Sequence, residues 1–512
     1  MTRTTRTLRT LYAGYAASLL NMALSFLVAP FLIGRLGNEE FGAYRVVLDY
    51  LGFLGIFEGS LTAALQFRLA KALSLDDRER VQRLLGSASR SLFFLGMLTT
   101  AITLVFAVFV EDILGVGAEE ARSLRIGLVF MALGGILRPL GIFAPLLEAR
   151  QRGYVVHFAM FVQNAVISLA SVILVWWGAG VAGVFAAQLF GLLFFCWISM
   201  RDARSLLSPF SALIGPGDLA ARIELKSIFR WNLLGSLLNR LCLASDTIVL
   251  SLFLNSAIVT PFFVTLRLAS IASAYAAAIG SSAWAPMVEM YHQGLIDRMN
   301  GRLIQLTRLT AFIGCAFLVP IAVWNGAFVR AWIGPKQDAG LLVTLVGCAN
   351  AWFLGISSLW GWIFNGTGQL RVVMWSVLVG TILNVAVSVI ATIYLGPVGP
   401  LVGTAAQQYC VNVWWLPNLL HRRFGTSRRD LFFAMFGPFL LGVVLIGAIL
   451  PLATSGWIEE LHASRFMTLA LTFACMGVVA LIYVAFGWRL VLPQSDRDEI
   501  RARLFPTRKS PT

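Results

Sequence analysis

Long apolar stretches separated by short polar segments make up most of this 512-residue chain. A helix needs about 20 apolar residues to cross a bilayer core roughly 30 Å thick, and a span in lipid must satisfy its own backbone hydrogen bonds. The pattern therefore predicts an all-α polytopic membrane protein with about 14 transmembrane helices. The predicted helices are 12–34, 43–66, 91–114, 124–147, 156–177, 180–200, 231–254, 260–288, 309–334, 340–364, 371–395, 397–420, 431–453 and 464–487.

Short sequences recur along the chain at offsets of 218 to 220 positions. They occupy corresponding points of corresponding apolar stretches, which indicates two related halves. A membrane chain of this kind is typical of alternating-access transporters, whose substrate site lies between the halves. The matching pairs are Ser18-Leu19-Leu20-Asn21 with Ser236-Leu237-Leu238-Asn239, Ala186-Ala187-Gln188 with Ala405-Ala406-Gln407, and Asn164 and Ser168 with Asn384 and Ser388.

The repeat predicts two six-helix lobes and a pair of additional C-terminal helices. The N-lobe is 1–200, the C-lobe is 231–420, and a cytoplasmic linker rich in proline and glycine joins them at 201–230. Helices 13 and 14 occupy 421–487, and 488–512 form a cytoplasmic tail. We interpret the additional pair as lipid-facing, with a groove for a lipid chain as the alternative.

Basic residues are distributed unevenly between the two sides of the predicted membrane. If the N-terminus is cytoplasmic, 30 of the 40 Lys and Arg residues lie in cytoplasmic segments. This asymmetry follows the positive-inside rule and places both termini in the cytoplasm. The net charge of +15 is thus mainly a topology signal. Because the basic residues are not gathered on a soluble domain, we expect membrane lipids as partners and no nucleic acid.

The sequence lacks the usual motifs of a membrane enzyme. The four histidines show no HExxH spacing, and a Walker-type phosphate loop is absent. The six cysteines all lie in apolar stretches without paired spacing, which argues against a disulfide framework. We therefore predict no enzymatic activity, no cofactor and no metal, with transport driven by an ion gradient, the membrane potential or consumption of the product.

Several short motifs resemble those of polysaccharide flippases. Residues Asn21 to Pro30, followed by Leu36-Gly37-Asn38-Glu39-Glu40-Phe41-Gly42-Ala43-Tyr44, resemble their N-terminal signature. Phe67-Arg68-Leu69-Ala70, Arg150-Gln151-Arg152-Gly153 and Asp246 also fit. The chain thus resembles the lipid-linked oligosaccharide flippases of the O-antigen type, in the multidrug/oligosaccharidyl-lipid/polysaccharide (MOP) exporter superfamily.

The resemblance implies two six-helix lobes around a V-shaped cavity. It further implies that an undecaprenyl-pyrophosphate-linked oligosaccharide crosses the bacterial inner membrane for polysaccharide or lipopolysaccharide synthesis. A polysaccharide polymerase or glycosyltransferases are then expected partners. The identity of the glycan does not follow from the resemblance.

Two arginines lie near the middle of predicted helices. Arg138 and Arg240 are about nine or ten residues from the inner helix ends, which at 1.5 Å per residue is near mid-bilayer. A planar guanidinium binds phosphate oxygens well, so we predict that both contact the pyrophosphate. Pro139 follows Arg138 and predicts a kink there. The alternative for every ionisable residue inside the membrane is a structural ion pair.

Asp49 and Arg267 are 218 positions apart, at equivalent points of the two halves. Equivalent positions in facing lobes can meet, so we predict an outer gate pair. Arg45 is a competing partner for Asp49, because it lies one helical turn earlier.

Other polar residues are candidates for ion coupling or glycan contact. Asp246 and Glu58 are candidate ion-coupling residues, although Glu58 lies about 180° around the helix from Asp49. Asp49 and Glu58 cannot both face the centre of one cavity, so we expect one of these two carboxylates to be structural. Asn21, Asn239 and Gln66 are candidate glycan contacts, with interhelical hydrogen bonding as the alternative.

Three classes of function remain. The first is the glycolipid flippase, and the second is a cation-coupled small-molecule (multidrug) exporter of the same superfamily. Arginines in the presumed cavity favour an anionic substrate over a cationic one. The third class, a membrane polysaccharide polymerase or ligase, is disfavoured because the predicted outer loops are too short to hold a catalytic domain.

Overall fold

Helices form all the regular secondary structure in the parts of the chain that the computed structural model describes. Contacts divide the chain into two compact units, which we call unit 1 (Met1–Thr260) and unit 2 (Pro261–Thr512). No strand occurs within the described ranges, in agreement with the all-α prediction. These ranges are 3–75, 77–205, 218–367, 369–460 and 464–504.

Unit 1 begins with one very long helix. It joins the first two predicted helices and changes direction at Gly37, whose φ of 77° is open to glycine without steric penalty. The helices of unit 1 are α1 (Arg3–Ser74), α2 (Arg78–Leu114), α3 (Ala118–Ile136), α4 (Phe143–Ala149), α5 (Gly153–Trp176), α6 (Gly180–Ala203) and α7 (Leu219–Phe253). A short helix, α8 (Ser256–Thr265), crosses the boundary between the units.

The α1 helix is the central element of unit 1, because it packs against α2, α5 and α7. Its C-terminal part is fully buried at Leu65 and Leu69, which join Leu84 and Leu85 of α2 in one apolar core. Lipid tails are as apolar as leucine, so close packing favours such contacts inside a bilayer. This packing holds α1 firmly between its neighbours.

A break interrupts the fourth predicted helix at the expected place. The α3 helix ends at Ile136, Arg138–Ile142 form a 3-10 turn, and the direction changes by 53° before α4. Pro139 has no amide hydrogen and disfavours helical geometry in the residue before it. The predicted kink at Arg138 and Pro139 is thus confirmed.

The long helix α10 is the core of unit 2. It contacts α9, α11, α15 and α17, so both helices of the additional C-terminal pair cover one of its faces. The helices of unit 2 are α9 (Arg267–His292), α10 (Ile296–Trp332), α11 (Leu341–Gly366), α12 (Leu370–Leu395), α13 (Gly399–Ala405), α14 (Val413–Phe424), α15 (Arg428–Thr454), α16 (Trp457–Glu460), α17 (Arg465–Leu490) and α18 (Gln494–Leu504). A π-helical segment, Ala406–Asn412, connects α13 to α14.

The described residues contain nine helices long and apolar enough to cross a membrane, or up to twelve if each bent pair is one span. The predicted number of fourteen is therefore not confirmed. Two of the nine, Leu20–Leu73 and Arg371–Phe424, are 54 residues long. A crossing needs about 20 residues, so each is long enough for two. They contain the breaks at Gly37 and at the 3-10 turn Gly396–Val398.

The boundary between the units does not coincide with the linker that the repeat predicts. Unit 1 extends to Thr260 and so includes α7, the first helix of the predicted C-lobe. That helix begins at Leu219, capped by the side chain of Asp218, twelve positions before the predicted start at 231. Within the predicted linker, 206–217 lie outside the described residues. The lobe boundary at 201–230 stays a prediction.

Candidate functional site

An ion pair joins α7 to α1 in the interior of unit 1. Arg240 Nη2 donates to Asp49 Oδ1 at 3.0 Å and to the Asp49 backbone carbonyl at 3.3 Å. Thr247 Oγ1 donates to the other carboxylate oxygen, Asp49 Oδ2, at 2.6 Å. Both oxygens of this largely enclosed carboxylate therefore have a donor, which a charge in an apolar region requires.

The surroundings of Arg240 leave space for its guanidinium. A side chain at Gly52 would occupy the position of the guanidinium nitrogens. The Phe53 ring lies below the guanidinium, with its centroid 5.8 Å from Arg240 Cζ, a cation–π distance. The Arg240 side chain is 32% exposed, compared with 13% for Asp49. The arginine therefore remains accessible, whereas the carboxylate is largely enclosed.

A second ion pair joins α1 to the broken segment after α3. Arg138 Nη1 binds Glu58 Oε2, and both side chains are about a quarter exposed, at 28% and 24%. Gly141 lies beside Glu58, because a Cβ atom at this position would be 3.2 Å from Glu58 Oε1. The break at Pro139 and the small residue at Gly141 thus present the arginine to the glutamate.

The two carboxylates extend from α1 in opposite directions. Asp49 and Glu58 are nine residues apart, which is half a turn around a helix and about 13 Å along its axis. Each therefore meets a different arginine. The sequence identified all four residues as candidates, but its proposed partners for Asp49 were Arg267 and Arg45. The pairing with Arg240 had no signal in the sequence, because it depends on how α7 packs on α1.

Asp246, the candidate ion-coupling residue of α7, lies beside this first pair. It precedes Thr247 in the chain, and its charge interacts with that of Asp49. Its Oδ1 atom is buried and has no hydrogen-bond partner among the described residues. Two acidic groups and one arginine thus share this part of unit 1. The role of Asp246, like that of Glu58, in ion coupling stays a prediction.

The candidate glycan contacts differ in exposure. Asn239 is exposed on α7, whereas Asn21 and Gln66 on α1 are half-buried. The Asn21 Oδ1 atom is buried and lacks a hydrogen-bond partner among the described residues. No finding tests contact with sugar, so these three assignments stay predictions.

Arg267, the second member of the predicted gate pair, lies at the start of α9 in unit 2. Its Cζ atom is 5.6 Å from the centroid of the Phe263 ring. Because Asp49 belongs to unit 1, the gate pair stays a prediction.

The N-terminal signature residues have structural roles in unit 1. Gly37 gives α1 its change of direction. Glu40 Oε1 accepts hydrogen bonds from the Val181 amide at 2.8 Å and the Ser123 hydroxyl at 3.1 Å, so it caps the start of α6. A side chain at Gly42 would overlap the Ser256 carbonyl, which indicates close packing of backbones.

Two residues of the other family-like motifs also form ion pairs. Arg68 Nη1 lies 3.2 Å from Glu224 Oε1, which Arg80 also binds at 2.6 Å. Arg152 Nη1 lies 3.1 Å from Asp202 Oδ2. These ion pairs connect separate segments of unit 1.

Unit 2 brings together three residues of the internal repeat. Asn384 Nδ2 donates to Gln407 Oε1 at 2.9 Å, and Ser388 Oγ donates to Asn384 Oδ1 at 3.2 Å. Gln407 belongs to the π-helical segment, a geometry frequently found at functional sites. The equivalent residues of unit 1 make other bonds, since Gln188 donates to the Tyr44 hydroxyl at 3.2 Å. Interhelical hydrogen bonding therefore accounts for these amides.

An apolar cavity of about 230 Å³ lies between α10, α11 and α15 in unit 2. Cys315, Val319, Cys348, Trp352 and Phe439 are among its lining residues. This cavity places a groove on one helix of the additional C-terminal pair. Neither in this cavity nor in the rest of the described residues does a cluster of three His, Cys, Asp or Glu residues form that could hold a metal ion.

The long apolar helices and the charged residues among them define a multi-pass membrane protein. Residues 13–292 match the family model described as "Polysaccharide biosynthesis protein". The chain belongs to this family.

Several solved structures share the fold. The lipid II flippase MurJ in an inward closed conformation matches with a TM-score of 0.70 and 13% identity, over 93% of this chain and 99% of MurJ. An inward-facing multidrug resistance MATE transporter matches with a TM-score of 0.63 and 14% identity, over 84% and 95%. A eukaryotic MATE transporter gives a TM-score of 0.60 and 13% identity, over 85% and 99%. No sequence among curated proteins matches significantly.

Proposed function

We propose that this protein transports an undecaprenyl-pyrophosphate-linked oligosaccharide across the bacterial inner membrane by alternating access, for polysaccharide or lipopolysaccharide synthesis. The observation that carries the proposal is a pair of arginines in unit 1, Arg240 in the apolar helix α7 and Arg138 in the broken segment after α3. Membership of a polysaccharide biosynthesis family supports the same substrate class.

The two ion pairs suggest how an anionic headgroup would bind. A buried arginine without a counter-ion is unfavourable in the membrane, and here Asp49 and Glu58 supply the counter-ions. A diphosphate would replace a carboxylate as the partner of the guanidinium, whose planar fork fits phosphate oxygens. The exchange keeps each arginine paired before and after binding.

Asp49 would not lose all its partners in this exchange. Thr247 still donates to it after Arg240 has turned to the phosphate, and Asp246 lies nearby as a second acidic group. A cation or proton bound there would offset the two negative charges. We propose that this acidic pair couples transport to an ion gradient.

A cation-coupled small-molecule exporter is the second candidate. The buried, unpartnered oxygen of Asp246 favours it, because such an oxygen can bind a cation directly. The fold serves both kinds of substrate, since it is shared with MurJ and with MATE transporters.

Deletion of the gene followed by analysis of lipid-linked intermediates separates the two candidates. We expect undecaprenyl-linked oligosaccharide to accumulate on the cytoplasmic side and surface polysaccharide to fall. Complementation with wild type should restore both, whereas R240A should not. Normal surface polysaccharide together with raised sensitivity to cationic compounds would reject the flippase in favour of the exporter.

A further inference from the structure

A cavity of about 380 Å³ opens on unit 1 and shares no lining residue with the two ion pairs. Leu61 of α1, Phe94 and Leu95 of α2, and Phe229 of α7 form an apolar wall. Arg222 and Lys226 of α7 also line it. The cavity therefore has an apolar part and a cationic part, which together complement an amphipathic anion.

The two cations point the same way along α7. Residues four positions apart share one face of a helix, and both side chains are exposed. Neither forms an ion pair within 4.0 Å with any residue that the structure describes. By contrast, Glu224 on the same helix neutralises Arg68 and Arg80 instead. Glu224 therefore faces α1 and α2, whereas Arg222 and Lys226 face the cavity.

The cavity lies across the predicted membrane boundary. Phe94 and Leu95 belong to the predicted span 91–114, whereas Arg222 and Lys226 precede the predicted span 231–254. The contacts of Glu224 with Arg80 place this end of α7 beside the start of α2. The apolar wall is therefore at the depth of acyl chains and the cations are at the depth of headgroups on the predicted cytoplasmic side.

We propose that this cavity binds an anionic phospholipid of the inner leaflet. Its phosphodiester lies between Arg222 and Lys226, and an acyl chain follows the wall of Phe94, Leu95 and Phe229. Two separate cations match a phospholipid with a single net negative charge, whereas a zwitterionic lipid would bring its own cation to the same place. The inference does not depend on the transported substrate.

Lipid titration of the full-length protein in detergent, followed by native mass spectrometry, tests the proposal. We expect phosphatidylglycerol to bind more tightly than phosphatidylethanolamine with the same acyl chains. The double variant R222Q/K226Q should bind phosphatidylglycerol about twenty-five-fold more weakly, because each cation near the membrane surface contributes about fivefold. The matched control R201Q/R204Q removes two exposed arginines from the same predicted rim and should bind as wild type does.

A second variant separates the cavity from general surface attraction. L95W fills the apolar part and keeps both cations, so it should also weaken phosphatidylglycerol binding. Equal affinity for both lipids, equal loss in R201Q/R204Q or unchanged binding in L95W would overturn the proposal. If undecaprenyl diphosphate displaces phosphatidylglycerol and binds more tightly than it does, the site belongs to the substrate headgroup and the proposal is overturned. If inorganic phosphate stabilises the wild type as much as phosphatidylglycerol does, the site binds a free anion and the proposal is likewise overturned.

Discussion

Arg240 Nη2 lies 3.0 Å from Asp49 Oδ1, and this contact joins two helices that are nearly two hundred positions apart in the sequence. The pair belongs to one compact unit, and its carboxylate has a second donor in Thr247. Removal of either charged partner leaves the other without its counter-ion in an apolar region. The pair is therefore a test both of stability and of substrate binding.

We expect D49A and R240A each to lower the free energy of unfolding by about 2 kcal/mol. This lies below the usual loss for breaking a buried pair, because Arg240 is 32% exposed. Thermal unfolding of the detergent-purified single and double variants gives the coupling free energy. A double variant whose loss equals the sum of the two single losses would show that the residues do not interact.

Gly52 provides a finer test of the space around Arg240. A Cβ atom at Gly52 would meet the guanidinium, so G52A should displace it and lower the melting temperature. Gly55 lies one turn away, and a Cβ atom added there would meet nothing within 4 Å. The G55A variant should therefore raise stability by about 0.5–1 kcal/mol, since alanine favours helix more than glycine does.

The effect of G52A on stability should change sign when Arg240 is absent. In an R240A background no guanidinium remains to be displaced, and G52A should then be neutral or stabilising. Melting temperatures of the four combinations decide the point. If G52A lowers the melting temperature equally in both backgrounds, its effect does not arise from the Arg240 guanidinium.

Arg138 is expected to need its planar fork and not only its charge. R138K keeps a cation for Glu58 but loses bidentate binding of phosphate. We therefore expect R138K to fold like wild type and to export less glycan, measured as lipid-linked intermediate that accumulates in a complemented deletion strain. If R138K exports at the wild-type rate, Arg138 is only a structural partner of Glu58.

Charge exchange distinguishes the two partners considered for Asp49. The variant D49R/R240D reverses the observed pair and should recover part of the stability that each single reversal loses. The variant D49R/R267D tests the predicted gate and should recover transport without recovering stability. Transport assays and melting temperatures on both double variants, at equal protein levels, separate the roles. Recovery of transport by neither exchange would argue against the gate.

Local signals in the sequence predicted much of the fold. Apolar length gave the helices, and Pro139 gave the break beside Arg138, since both depend on neighbouring residues. The early start of α7 at Leu219 was missed because polar residues such as Glu224 interrupt its first turns. Their partners, Arg68 and Arg80, lie far away in the chain.

The site was predictable in its members and not in its pairs. Asp49, Glu58, Arg138 and Arg240 were conspicuous because charges are rare within apolar helices. Which acid meets which base depends on the packing of α7 and of the segment after α3 on α1. No regular spacing in the sequence records that packing. An offset of 218 positions suggested Arg267 for Asp49. Within unit 1 the observed partner of Asp49 is Arg240, and the gate pair with Arg267 stays a prediction.

The position of Asp49 and Glu58 on opposite sides of α1 has a mechanical consequence. The two ion pairs restrain the helix from opposite sides, so a sideways shift that lengthens one ion pair must shorten the other. A ligand that took Arg240 away from Asp49 would release one of these restraints and leave the helix pulled towards Arg138. The position of α1 would then depend on which of the two arginines binds the ligand.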